Sequence, residues 1–229
     1  MTTAIIVAAG KSERMGENVD KAFFPLGTSS KPVLAHTLRV MEQCTEIDKV
    51  VLVVRKDKVN SAQGLVQLFG CKKVSEIVAG GANRQASVIA GLAACDEDTT
   101  IVAVHDGARP CVSSDYIAEV VRTAKTKGAA VAAMKITDTV KSSEKNNVVN
   151  ETIDREKLWT VQTPQVFKIA ILRKAFGQAE ADGLRYTDEA AAVEATGEPV
   201  QLVPSLQYNI KITFPEDMRT AALLLGIQS

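Results

Sequence analysis

The amino-acid sequence predicts a three-layer α/β fold in which helices cover both faces of a mainly parallel β-sheet. Short runs rich in β-branched residues alternate along the chain with segments whose apolar residues have helical spacing. The runs are continuously apolar, which indicates strands that are buried on both faces. With 229 residues, of which 46% are hydrophobic, the chain can bury a substantial core, and we expect a single domain over residues 1–229 with an appendage.

The predicted strands are Ala4–Val7, Lys49–Val54, Val74–Val78, Ile101–His105 and Ala129–Ile136. After the last of them the alternation ends, and two extended segments flank a polar turn at residues 142–147, which predicts a β-hairpin. An isolated two-stranded ribbon is only marginally stable in water. We therefore expect residues of about 137–158 to form a protruding arm that packs against a second copy of the chain. A floppy surface loop is the alternative.

Helices and short strands return in the C-terminal part of the chain. The expected elements are helices at Lys168–Ala181 and Thr187–Ala195, a strand at Pro199–Val203, an extended piece at Asn209–Thr213 and a helix from about Pro215. Proline suits the first turn of a helix, because its missing N–H would have no partner there. Thr187 is placed to cap the helix that it begins.

The first predicted strand leads into a loop of small and cationic residues, Ala8-Ala9-Gly10-Lys11-Ser12-Glu13-Arg14-Met15-Gly16, with Lys21 a few residues later. Such a loop lets backbone N–H groups approach a polyphosphate closely while side chains neutralise its charge. The spacing excludes a Walker loop, because Ile5 stands where that loop needs its first glycine. Ser12 and Met15 occupy glycine positions of the dinucleotide fingerprint and exclude it too. An ordinary strand-to-helix turn is the alternative.

Two further loops carry polar residues after predicted strands, namely Gly80-Gly81-Ala82-Asn83-Arg84 and Asp106-Gly107-Ala108-Arg109-Pro110. Right-handed crossovers bring the carboxyl ends of parallel strands to one edge of the sheet, so these loops are expected to meet the first one there. Asp106 is a candidate ligand for Mg²⁺, which takes one or two carboxylates together with phosphate oxygens and water. A turn-capping aspartate is the alternative, but Arg109 beside it favours a paired anion and metal site.

Composition excludes several other classes of function. Lysine and arginine number 27, as do aspartate and glutamate, so no overall charge attracts the chain to nucleic acid or anionic lipid. No targeting segment or membrane-length apolar run is visible, and we expect a cytoplasmic protein. The 4 cysteines lie far apart without a C-x-x-C pair, which indicates neither zinc nor disulfides. With 2 histidines, covalent acyl chemistry is not expected.

These motifs together resemble a known family, the 2-C-methyl-D-erythritol 4-phosphate cytidylyltransferases. Beyond the loops above, the resemblance includes Asp138-Thr139-Val140-Lys141, Asp154-Arg155, Gln162-Thr163-Pro164-Gln165, Thr187-Asp188-Glu189 and Asn209-Ile210-Lys211. It covers essentially the whole chain. It implies a Rossmann-like nucleotidyltransferase fold, Mg²⁺ as the cofactor, and a homodimer that exchanges its arms. The implied reaction joins CTP to methylerythritol phosphate and releases pyrophosphate in the non-mevalonate route to isoprenoid precursors.

The resemblance also implies a role for individual residues. The implied catalytic side chains are Arg14, Lys21 and Lys211. The implied CTP-binding residues are Ala8, Ala9, Gly10, Gly81, Ala82, Ser87 and Asp106, with Asp106 also holding the metal. The implied acceptor-binding residues are Arg109, Thr139, Thr187 and Lys211 from one chain, with Arg155 and Thr163 from the arm region of its partner.

Two positions depart from the family pattern. Ser12 stands where many relatives have a second glycine, and Ala82 stands where some have an aspartate. Three alternatives stay open at this point: a cytidylyltransferase for ribitol 5-phosphate, a noncatalytic nucleotide sensor, and a purely structural dimer module. The sensor is disfavoured because the cations and Asp106 are all present, and the dimer module leaves the converging loops unexplained.

Overall fold

The fold is built around a seven-stranded sheet, seen in a computed structural model that describes residues 1–15, 20–144, 146–205 and 208–228. Gly16 of the first loop motif and Lys145 of the predicted hairpin turn lie outside the described residues. The strands of this sheet are β1 (Thr2–Ala8), β2 (Lys49–Val54), β3 (Val74–Ala79), β4 (Ile101–Asp106), β5 (Ala129–Lys135), β8 (Trp159–Lys168) and β9 (Gln201–Pro204). A separate ribbon is formed by β6 (Val140–Ser143) and β7 (Val149–Ile153).

The strand order is β3-β2-β1-β4-β8-β5-β9. Neighbouring strands pair in parallel, except that β8 runs antiparallel to both β4 and β5. The chain moves outward from β1 to β3 and then returns to place β4 on the other side of β1. This reversal creates a crevice beyond the carboxyl ends of β1 and β4, which is where open α/β sheets bind ligands.

Helices cover both faces of the sheet, as the sequence predicts. They are α1 (Val33–Gln43), α2 (Val59–Leu68), α3 (Arg84–Ala93), α4 (Ser114–Lys127), α5 (Ile169–Ala181), α6 (Glu189–Glu194) and α7 (Pro215–Leu224). Successive side chains of a strand point to opposite faces. Ile6 of β1 accordingly packs in a core with α1, α2 and α4, whereas Ile5 packs in a second core with α3, α5 and α6. The predicted α/β class with a mainly parallel sheet is confirmed.

A third, smaller core supports the crevice. Leu26 and Ile212 are fully buried there together with Ala221 and Ala222 of α7. This core ties the segment after Lys21 to the segment that carries Lys211. Among the described residues, no helix is long and apolar enough to cross a membrane.

The sequence analysis missed strand β8, which lies in the middle of the sheet. Its Pro164 argues against a central strand, since proline cannot donate a hydrogen bond to the ladder. The structure accommodates Pro164 where the register between β5 and β8 shifts, and the Thr163–Pro164 peptide bond is cis. The predicted cap of α6 was also wrong: Asp188 accepts a hydrogen bond from Ala191 N at 2.9 Å, and Thr187 is an exposed residue outside the helix.

The β6–β7 ribbon confirms the predicted hairpin in the part of the chain that is described. Its strands pair antiparallel, with Val140 opposite Ile153. Most of its residues are exposed, including Val148 at 68% and Val149 at 55%. Packing of this arm against a second copy of the chain stays a prediction.

Candidate functional site

A cavity of about 900 Å³ lies at the predicted edge of the sheet, where the loops after β1, β3 and β4 meet the segment before α7. The predicted site residues that line it are Ala8, Ala9, Gly10, Arg14, Lys21, Gly81, Ala82, Ser87, Asp106 and Lys211. Other lining residues, among them Asp20 and Arg55, were not predicted as site residues. The fold thus brings together the residues that the sequence assigned to nucleotide binding and catalysis.

The loop after β1 has a backbone shape that explains its small residues. Ser12 has a φ of 57°, in the left-handed region that favours glycine, at a position where the family resemblance implies glycine. Ser12 Oγ accepts a hydrogen bond from Lys21 N at 3.3 Å, so the loop is tied to the short 3₁₀ turn Lys21–Phe23. Serine therefore keeps the backbone conformation and adds a hydroxyl that helps to place Lys21.

The loop after β3 packs directly against the loop after β1. A Cβ atom on Gly80 would lie 2.5 Å from Ala9 Cβ and 2.8 Å from Ser87 Oγ, so only glycine allows this approach. Ser87 Oγ accepts from Gly81 N at 3.2 Å and donates to Asn83 O at 2.8 Å. Because Ser87 is 2% exposed and its hydroxyl has these partners, it shapes the loop around the cavity.

Asp106 lies at the floor of the cavity, surrounded by cations. Its Oδ2 is 2.9 Å from Lys211 Nζ and 3.3 Å from Arg109 Nε, and its Oδ1 is 3.5 Å from Arg84 Nη2. Burial by itself would raise the pKa of Asp106, but Lys211, Arg84 and Arg109 outweigh it and hold the pKa below its ordinary range. Asp106 is therefore ionised at neutral pH and orients the Lys211 ammonium.

A buried network supports Asp106 from below. Thr163 Oγ1 accepts a hydrogen bond from Asp106 N at 3.0 Å and lies 3.1 Å from His105 Nδ1. Burial lowers the pKa of His105 to about 4, so the imidazole is neutral. Its Nε2 lies 3.2 Å from Arg109 O, so Nε2–H donates to that carbonyl and Nδ1 accepts from the Thr163 hydroxyl. His105 is a structural histidine whose two ring nitrogens both have partners.

The position of Thr163 corrects one implication of the resemblance. Thr163 lies in β8 and is 3% exposed, beneath Asp106 of its own chain. A side chain this buried is not placed to reach a substrate held by another chain. The expectation that Thr163 extends from the arm region into a partner's site is therefore replaced by a supporting role in its own chain.

Arg84, Glu189 and Asn209 support the site, although the sequence analysis did not predict them as parts of it. Arg84 pairs with the buried Glu189 while also facing Asp106. Arg109 Nη1 donates to Asn209 O at 2.7 Å, and the 1% exposed Asn209 donates through Nδ2 to Thr163 O at 2.7 Å. All of these stand inside motifs noted above, but their mutual contacts join elements that are remote in sequence.

The cavity concentrates positive charge in a chain whose net charge is zero. Burial, followed by the nearby Lys211 and Arg14, lowers the pKa of Lys21. The guanidinium of Arg14 lies over the ring of Phe214, 5.6 Å from its centroid. A cluster of cations around one carboxylate, edged by loop backbone, suits a phosphate-rich anion.

Of the predicted acceptor-binding residues, Lys211 lines the cavity, Arg109 and Thr163 contact Asp106 without lining it, and three others lie elsewhere. Thr139, Arg155 and Thr187 are exposed, and none of them lines the cavity as it is described. Arg155 Nη1 donates to Thr137 O at 2.7 Å, at the base of the arm. A single chain thus assembles the nucleotide side of the predicted site and leaves the arm residues apart from it.

Comparison with known proteins agrees with these observations. The sequence model of the family described as 2-C-methyl-D-erythritol 4-phosphate cytidylyltransferase, or IspD, matches residues 2–226. Proteins of that name from Dehalococcoides mccartyi and Alkaliphilus metalliredigens are similar to this chain. The first is 46% identical over 223 residues, covering 97% of this chain and 95% of the relative. The second is 42% identical over 217 residues, covering 94% of this chain and 89% of the relative.

A solved structure is similar as well. The crystal structure of 4-diphosphocytidyl-2C-methyl-D-erythritol synthase from Anaerococcus prevotii matches with a TM-score of 0.84 and 29% identity, covering 98% of this chain and 96% of that chain. The resemblance inferred from the motifs is confirmed.

Proposed function

This chain belongs to the 2-C-methyl-D-erythritol 4-phosphate cytidylyltransferase family, and from that premise we propose that it transfers the cytidylyl group of CTP to 2-C-methyl-D-erythritol 4-phosphate in the cytoplasm. The products are 4-diphosphocytidyl-2-C-methyl-D-erythritol and pyrophosphate, in the non-mevalonate isoprenoid pathway. The observation that carries the proposal is the cavity that Arg14, Lys21 and Lys211 line together with the buried Asp106, whose Oδ2 is 2.9 Å from Lys211 Nζ.

The reaction needs charge stabilisation more than proton transfer. A phosphate monoester has a second pKa of roughly 6, so the acceptor is already largely a dianion at neutral pH. One of its oxygens attacks the α-phosphorus of CTP, a new P–O bond forms, and the bond to the bridging oxygen of pyrophosphate breaks. Negative charge grows on the α-phosphate, where positioned cations stabilise it. This chemistry fits a site whose nearby histidine is neutral and buried beneath the floor.

The side chains divide this work between the two substrates. Arg14 and Lys21 bind the triphosphate, and Lys21 with Lys211 stabilises charge at the α-phosphate. Asp106 orients Lys211, with Nζ and Oδ2 2.9 Å apart. Arg109 neutralises the phosphate of the acceptor. The triphosphate cradle is the backbone of Ala8, Ala9 and Gly10, and the cytosine pocket is formed by Gly81, Ala82 and Ser87.

Enzymes of this kind generally use a divalent cation, and we propose Mg²⁺ here. Mg²⁺ is bound by one or two carboxylates, with phosphates and water as its other ligands. Among the described residues, the carboxylates that line the cavity are Asp20 and Asp106, which fits that requirement. Asp106 would hold the ion together with CTP phosphates; since Lys211, Arg109 and Arg84 already contact Asp106, phosphates would supply most ligands. When bound, the ion neutralises phosphate charge.

A homodimer would complete the acceptor side. We expect Arg155 to reach the acceptor in the site of the partner chain, because it is exposed and lies apart from the cavity of its own chain. Thr139 and Thr187, which the resemblance implies as further acceptor contacts, are exposed as well. The exposed valines of the arm supply an apolar surface for the partner.

Changing both Val148 and Val149 to aspartate is expected to convert the dimer into monomers and to lower cytidylyl transfer. Charges at these 68% and 55% exposed positions oppose burial in an interface. Sedimentation measures the association state, and the matched control is Leu68→Asp, at a 77% exposed position on α2. A double variant that stays dimeric would contradict the proposed arm interface.

Replacing Phe214 by alanine is expected to raise the KM for CTP about two- to fivefold, since an exposed cation–π contact contributes about 0.5–1 kcal/mol. The ring lies against Arg14, whose guanidinium loses that support in the variant. Steady-state kinetics with varied CTP provide the measurement. Phe214→Tyr keeps the aromatic face and should keep the KM, and an equal increase in both variants would contradict the role of the ring.

The activity itself is tested by pyrophosphate release from CTP and Mg²⁺ with methylerythritol phosphate, with ribitol 5-phosphate, or without an acceptor. We expect release with methylerythritol phosphate. Equal or faster release with ribitol 5-phosphate in direct competition would change the acceptor and keep the mechanism. Binding of CTP without release for either acceptor would indicate a nucleotide sensor.

A further inference from the structure

Lys21 lies near two other cations, Arg14 and Lys211, which repel its positive charge. Arg14 and Lys211 face the same cavity, and together with burial they disfavour the charged form of Lys21. Like charges repel most strongly before a polyanion has entered between them. The turn that carries Lys21 therefore needs an attachment to the rest of the protein that does not depend on substrate.

Asp20, immediately before Lys21, provides such an attachment. Its Oδ1 accepts a hydrogen bond from Ala22 N at 3.3 Å and caps the 3₁₀ turn Lys21–Phe23. Its Oδ2 lies 3.5 Å from Arg55 Nη2, and the Asp20 side chain is only 9% exposed. Among the described residues, Oδ2 accepts no hydrogen bond, so Arg55 is its compensating charge.

Arg55 is a firm anchor for this carboxylate. It follows directly after the buried strand β2, which fixes where its side chain begins. Its Nε and Nη2 also donate to the two carboxylate oxygens of Asp57 at 3.1 and 3.0 Å, but Asp57 is 64% exposed, so this solvent-screened pair contributes little to the anchoring. A second contact joins the same two segments, since Lys58 Nζ lies 5.9 Å from the centroid of the Phe23 ring. The Lys21 turn is thus connected to the end of a core strand.

We propose that Asp20 and Arg55 are a positioning pair that holds the Lys21 turn in its catalytic place against the repulsion of Arg14 and Lys211. The part of this inference that concerns turnover rests on the proposed cytidylyl transfer. The attachment of the turn does not, and it can be tested on the protein without substrates.

The first test measures amide hydrogen exchange in a peptide that covers the Lys21 turn. Asp20→Asn keeps an acceptor for the cap but removes the charge that faces Arg55, and Arg55→Met removes the guanidinium. Both variants are expected to exchange about fivefold faster or more in the turn, because its amides open by local unfolding. Asp57→Asn is the matched control: it removes the 64% exposed partner of Arg55 and should leave the exchange unchanged.

The second test measures kcat and KM for CTP in the same variants. Small displacements of a positioned group reduce turnover strongly, so Asp20→Asn and Arg55→Met are each expected to lower kcat roughly tenfold with little change in KM. The double variant should be no slower than either single variant, because both remove one interaction. Asp57→Asn should keep the wild-type kcat, and Arg55→Lys should recover part of it.

Several results would overturn the positioning pair. Unchanged exchange in Asp20→Asn and Arg55→Met would show that the pair does not hold the turn. A rise in KM confined to Arg55→Met would assign Arg55 to direct contact with CTP. If the loss of kcat in the double variant equals the product of the losses in the two single variants, Asp20 and Arg55 act independently. Absence of transfer by the wild-type protein would refute the proposed function and leave the exchange result as the test of the pair.

Discussion

Lys21→Ala is expected to lower kcat for cytidylyl transfer by about two to three orders of magnitude, the usual loss when one preorganised group that stabilises transition-state charge is removed. Lys21 lines the cavity beside Lys211, where charge develops on the α-phosphate in the proposed reaction. Pyrophosphate release under saturating CTP and acceptor measures the change. Because the contact strengthens in the transition state, the loss should fall mainly on kcat.

The same variant should not be less stable than the wild-type protein. Burial and the repulsion of Lys211 and Arg14 lower the pKa of Lys21, which means that folding disfavours its charge at neutral pH. Thermal unfolding is therefore expected at the same or a higher temperature. Lys72→Ala, at an exposed position, is the control for loss of a lysine. A large loss of stability in Lys21→Ala would assign this lysine a structural role.

The pH profile offers a further check on Lys21. The pH dependence of kcat/KM reports the ionisable groups of the free enzyme. Because the pKa of Lys21 is lowered, kcat/KM is predicted to start decreasing at a pH below the ordinary lysine pKa of 10.5. The charged form is the active one, so activity decreases as the pH rises through the pKa of the folded protein. This alkaline decrease should be absent from the residual activity of Lys21→Ala.

Sequence patterns predicted the framework of the site well, because that framework depends on local signals. The apolar runs of β1, β3 and β4 and the small or glycine residues that follow them are each contained in a few adjacent positions. Parallel pairing then brings the strand ends to one edge without further information. For this reason the sequence alone places Asp106, Lys21 and the β3 loop at one edge of the sheet, where they line one cavity.

The supporting contacts could not be predicted in the same way. Strand β8 has polar residues and a proline at its middle, and its place in the sheet depends on antiparallel pairing with β4 and β5. Without β8, the hydrogen bond from Asp106 N to Thr163 is not foreseeable. The contact between Asp20 and Arg55 likewise joins a turn to the end of another strand. Such pairs have no periodic signal in the sequence.

Asp106→Asn is expected to lower kcat at least about a hundredfold. It is also expected to lower the free energy of unfolding of the protein. The buried carboxylate has Lys211, Arg109 and Arg84 as partners, and the asparagine leaves these cations around a neutral amide. Removing one member of a buried ion pair typically costs about 3–5 kcal/mol, which a domain of ordinary stability survives. Pyrophosphate release and urea unfolding at neutral pH measure the two effects.

The dependence of this destabilisation on pH follows from the pKa of Asp106, which is held below its ordinary value of 3.8. The carboxylate therefore contributes its full stability above that value, and the contribution is lost as the pH falls through the lower pKa of the folded state. The difference in unfolding free energy between wild type and Asp106→Asn should be constant near neutrality and shrink in acid. Asp98→Asn, at an exposed position, should show little difference at any pH. Wild-type rates in both Asp106→Asn and Lys21→Ala would require the proposed mechanism to be abandoned, since its charged groups would then be dispensable.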